Sequence, residues 1–139
     1  TNIGKQFTYN SLKKIFNFPS ETTFFSGVIE HSYYAIFNCA KAYLISKNVH
    51  LKSEQGQHQQ VYFEFRKLVE RGLIEKDLLK VYNDVKTKAE VLLGILKKEK
   101  EKRNTFAYET LPQANKKPAE DSLDNAIIFI SHIKAILIE

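Results

Sequence analysis

The chain has 139 residues and a mass of 16.1 kDa, with 43% hydrophobic and 27% charged residues, which suits one globular domain and excludes wholesale disorder. Cys39 is the single cysteine, so an intramolecular disulfide and zinc sites built on cysteine pairs are excluded. The 21 basic and 16 acidic residues give +5 and a pI near 9.2, a balance that permits nucleic acid as a partner and equally fits a soluble basic surface.

Few prolines and glycines interrupt the chain, and no alternating apolar/polar run is long enough for a strand, so an all-α fold is expected. A short helix over Tyr9 to Phe16 places Leu12, Ile15 and Phe16 on one face and breaks before Pro19. From about Phe24 to Ser46 the spacing predicts one long amphipathic helix with Phe25, Ile29, Ile36, Phe37, Ala40 and Leu44 inward. Lys47 to Gln57 reads as a loop containing Gly56. A third helix from His58 to Arg71 carries Val61, Phe65 and Leu68, and Gly72 stands where a C-terminal cap belongs.

A fourth helix is expected to run unbroken from about Glu75 past Leu96, with Leu78, Tyr82, Val85, Ala89, Leu92 and Leu96 as its stripe. Gly94 within it suggests a close helix contact. Leu111 to Pro118 reads as a loop, and a last helix presents Leu123, Ala126, Ile127, Ile130, Ile133 and Leu137. One domain spanning residues 1–139 is the organisation this implies. Without Met and beginning at Thr1, the chain reads as a trimmed product or a piece of a longer one. No signal peptide is recognised at its start, and the apolar run Ala126 to Ile130 is far short of the roughly 20 residues that span a bilayer, so a cytoplasmic protein without membrane association is expected.

The four histidines, at 31, 50, 58 and 132, form no metal-ligand spacing, and there is neither a glycine-rich phosphate loop nor a GxSxG turn. No cofactor and no metal are expected. Cys39 reads as a small thiol beside the apolar face. Adjacent Tyr33 and Tyr34 point roughly 100° apart on a helix, so at most one faces the core. The other meets water at the core edge, a partner chain or a ligand. Lys97 to Arg103 carries net +3 and reads as a solvated face on which Arg103 is exposed. Beyond it, Asn104 and Tyr108 lie one helical turn apart with Arg103 in reach: a forked cation, an amide and a phenol that could converge on one anion.

The segment FSGVIEHSYYAIFNCAKAYL from Phe25 to Leu44 resembles the signature helix of HEPN domains. His58-Gln59-Gln60-Val61 with Phe65 is similar to the family's HxxV…F segment, and Val69 to Ile74 to the turn after it. Arg103…Ala107-Tyr108 falls where many members carry R-x-x-A-D-Y, and Asp124 to Ile133 resembles the terminal A-x-x-F helix. In order, these motifs cover about Phe24 to Ile136.

The resemblance implies an up-and-down bundle of four main helices with an additional short one, commonly a homodimer. It also implies toxin–antitoxin or defence contexts, often beside a minimal nucleotidyltransferase acting as antitoxin. Active members are metal-independent ribonucleases that use an arginine, to stabilise phosphate charge, and a histidine four to six residues on, to handle the 2′-hydroxyl proton. Here the histidine position is Tyr108, whose reference pKa of about 10 makes it a poor base at neutral pH. Three readings follow. The first is RNA or nucleotide-phosphate binding through Arg103, Asn104 and Tyr108 without efficient cleavage. The second is an active endoribonuclease with a variant site, and the third a purely structural dimerisation bundle.

Overall fold

The computed structural model describes residues 25–52, 55–82, 88–106 and 116–137. Among them all regular structure is helical: α1 Phe25–Ser46, α2 Gln57–Glu70, α3 Leu73–Val81, α4 Ala89–Phe106 and α5 Lys116–Leu137. The result is a helical bundle of four longer helices and one short one. The expected helix over Tyr9 to Phe16 lies outside the described residues. No described helix is long and apolar enough to cross a membrane.

α1 is the single unbroken helix its spacing predicts, and it packs chiefly against α5, then α4 and α2. Its buried face is Ile29, Tyr33, Ile36, Phe37, Ala40, Tyr43 and Leu44. It ends in a Schellman motif. Asn48 takes φ 61, its N–H donates to the Ile45 carbonyl at 3.0 Å, and the Val49 N–H donates to Leu44 at 3.0 Å. The connection to α2 is fastened by Gln60, whose Oε1 accepts from the Lys52 N–H at 3.0 Å. Gly72 caps α2 as its place suggests, with φ 76 and its N–H donating to Val69 at 3.0 Å.

The expected long fourth helix is two helices. After Val81 the backbone of Tyr82 is extended (φ −112, ψ 128), and helix resumes at Ala89. Glu75 makes the break stable: its Oε2 accepts from the Ala89 N–H at 2.8 Å, satisfying one of the donors a helix start leaves open. Leu78, Ala89, Leu92 and Leu96 are buried as expected and Tyr82 half-buried, whereas Val85 lies outside the described residues. Gly94 marks no close contact, because it is exposed and a Cβ there would meet nothing within 4 Å.

α5 begins at Lys116, two residues earlier than expected, with Pro118 in its first turn. Its buried stripe is Ala119, Ser122, Ala126, Phe129, Ile133 and Ile136, while Ile127 is 57% exposed. The helix is therefore turned relative to the expected face. Within the bundle the Glu99 carboxylate is fully buried. Its Oε2 accepts from Lys102 Nζ and from Asn125 Nδ2, each at 2.9 Å, and Lys102 also donates to Ser122 Oγ and the Pro118 carbonyl.

Candidate anion-binding site

The bundle assembles its most chemically varied cluster where the middle of α1, the start of α2 and the end of α4 meet. The adjacent tyrosines divide as helix geometry requires. Tyr33 is fully buried, and Tyr34 is half-buried and turned toward α4. There Arg103 donates through Nη2 to the Tyr34 hydroxyl at 2.8 Å. Its guanidinium carbon lies 4.9 Å from the Tyr34 ring centre and 5.7 Å from that of Tyr33.

Arg103 is thus half-buried against two rings, correcting the expectation of an exposed side chain. The cause is long-range: the tyrosines that hold it are about 70 residues away in the chain. Among the described residues no carboxylate pairs with Arg103. Among the described residues one hydroxyl engages a single donor of a fork that carries five N–H groups, a donor set suited to an anion.

His58, at the start of α2, completes the cluster. Its ring stacks on Phe37 at 4.2 Å between centroids and on Tyr33 at 5.5 Å, and meets the edge of Tyr34 at 5.7 Å. Tyr33 Oη lies 2.7 Å from His58 Nδ1. Burial pushes the Tyr33 hydroxyl up to about 12, against the pull of Arg103, so at neutral pH it keeps its proton. His58 is held below its ordinary value by burial first, then by the charges of Arg103 and Lys100, so its imidazole is neutral. A protonated phenol facing a neutral ring donates, which makes Nδ1 the acceptor and leaves the imidazole proton on Nε2.

Of the residues singled out from sequence, Arg103 stands in this cluster. Asn104, the next residue on α4, is exposed and about 100° around the helix from it. Tyr108 lies outside the described residues. His58 was not among the candidates. In the sequence it stands out only as the first residue of the HxxV…F segment, and no sequence spacing joins 33, 34, 58 and 103. Cys39 is half-buried and burial pushes its thiol up to about 11, which fits an inert packing role. His31 is exposed, and His132 bonds through Nδ1 to the Ile128 carbonyl one turn earlier at 2.6 Å. Among the described residues no group of three or more His, Cys, Asp or Glu side chains could hold a metal ion.

No family model matches the chain, and neither a curated protein nor a solved structure matches it.

Proposed function

We propose that this chain is a HEPN-like domain that binds RNA or a nucleotide through its phosphate at Arg103, without efficient cleavage. The observation that carries the reading is the Arg103 guanidinium, laid on Tyr34 and unpaired with any carboxylate among the described residues. A cation oriented in advance, with no carboxylate partner among the described residues, suits phosphate recognition, because little side-chain freedom remains to be lost on binding. Lys100 adds a second positive charge, close enough that both cations depress His58.

The same cluster speaks against cleavage. A base for the ribose 2′-hydroxyl needs a free imidazole nitrogen, and Nδ1 of His58 is already the acceptor for Tyr33. The reading extends to a homodimer, a toxin–antitoxin or defence role, and a nucleotidyltransferase as antitoxin partner. Light scattering that returns 16.1 kDa at micromolar concentration overturns the dimer.

Binding of a fluorescein-labelled RNA tests the phosphate reading. Arg103→Ala is expected to weaken it by about 1–3 kcal/mol and to reduce the salt dependence by about one phosphate contact. Tyr34→Phe, which removes the hydroxyl that holds Nη2 but keeps the ring under the guanidinium, weakens binding less than Arg103→Ala. Incubation with RNA in EDTA is expected to leave the strand intact. Unchanged affinity and salt slope in Arg103→Ala overturn phosphate binding at this site, and cleavage in EDTA that depends on Arg103 overturns the non-cleaving reading in favour of a metal-independent endoribonuclease.

A further inference from the structure

A groove of about 620 Å³ runs beside the Arg103 cluster, between the loop before α2, the outer face of α2 and Lys100 of α4. Its lining combines two features. The first is aromatic: Phe63 is 53% exposed and Tyr62 is half-buried beside it. The second is cationic. Lys67 Nζ lies 4.8 Å from the centre of the Phe63 ring and Lys100 Nζ lies 5.7 Å from that of Tyr62. Lys52 adds a third ammonium, and Glu64 is the one carboxylate among the lining residues, already paired with Lys67 at 3.3 Å.

We infer that this groove takes an unpaired base of a single-stranded nucleic acid whose phosphates run across Lys100 to Arg103. The inference deepens the phosphate-binding reading and rests on it. Exposed rings flanked by ammonium groups suit stacked bases and the backbone that links them, and every base has a face to stack. Excess positive charge disfavours a basic or neutral apolar partner. Lys100 joins the two parts, since it stands one helical turn before Arg103 on α4, shares its electrostatic reach over His58, and lines the groove. Paired bases are hidden inside a duplex, so the groove selects single strands.

Three fluorescein-labelled probes of 12 nucleotides test this: a mixed-sequence single-stranded RNA, its duplex, and a chain of abasic sugar-phosphates. The wild-type protein is expected to bind the single strand more tightly than the other two. Phe63→Ala is expected to weaken the single strand about tenfold and to leave the abasic chain unchanged. Phe63→Leu behaves like Phe63→Ala, because bulk without a ring does not stack. Phe63→Trp keeps the affinity, and as the only tryptophan in the chain its fluorescence is quenched by the single strand.

Phe63→Leu with wild-type affinity overturns stacking, as does a duplex bound as tightly as the single strand. Arg103→Ala separates the two levels of the argument. If it weakens the abasic chain while Phe63→Ala changes nothing, the groove is overturned and the phosphate reading stands. If it changes no probe, the phosphate reading falls, and the groove as its extension falls with it.

Discussion

His58 illustrates how a residue acquires its chemistry from groups far away in the chain. Burial and two nearby cations disfavour its protonated form, so its folded pKa lies below 6.5. Titration followed by NMR is expected to give a value under 6.5 that moves upward in Arg103→Ala, since one of the depressing charges is gone. The consequence for stability has a definite sign. Below about pH 6.5 the unfolded chain binds a proton that folded His58 refuses, so stability falls as pH drops from 6.5 toward the folded pKa. Thermal unfolding at pH 7 and pH 5 measures this, and His58→Gln is expected to flatten the difference.

Among the helices, two junctions depend on single residues. Gly72 lies at φ 76 between α2 and α3, and a Cβ there would meet no atom within 4 Å. Gly72→Ala therefore costs only the left-handed backbone, about 1 kcal/mol in urea unfolding. At the other junction the buried Tyr43 of α1 donates to Asp77 Oδ2 of α3 at 2.5 Å, and Lys47 reaches the same oxygen at 2.7 Å. Burial alone would raise Asp77, but Lys47 and Tyr43 outweigh it and hold the carboxyl below its usual value. The stabilisation is therefore present above about pH 4 and is lost as pH falls further. Tyr43→Phe is expected to cost about 1.5–3 kcal/mol at pH 7, the scale of a hydrogen bond to a charged group, and less at pH 3.

Across the whole bundle, the buried ion pair of Glu99 and Lys102 ties α4 to α5 through Asn125 and Ser122. The Lys102 side chain is 8% exposed and that of Glu99 0%, and Glu99 Oε1 has no hydrogen-bond partner among the described residues. Two charges in so dry a place hold each other only through good geometry. Glu99→Ala strands the ammonium and is expected to cost about 3–5 kcal/mol. The double variant Glu99→Leu/Lys102→Met is expected to recover most of that loss, because it removes both desolvation costs together. Urea unfolding of the three proteins measures it. A single variant as stable as the parent would mean that water reaches the pair.

Local sequence determined the helical class, the extent of α1 and the cap at Gly72. Those features depend on propensity, on apolar spacing and on a glycine able to take positive φ, all carried by neighbouring residues. The break between α3 and α4 depends on Glu75 meeting a backbone N–H 14 residues away, which periodicity cannot register. The face of α5 was equally out of reach. Five successive apolar residues from Ala126 to Ile130 leave the phase of the helix open, and packing against α1 turned Phe129 inward and left Ile127 in solvent. Arg103 was legible as a scarce arginine beside a lysine run. That it lies across Tyr34, with His58 nearby, was decided by tertiary packing alone, because only folding brings positions 34, 58 and 103 within contact distance.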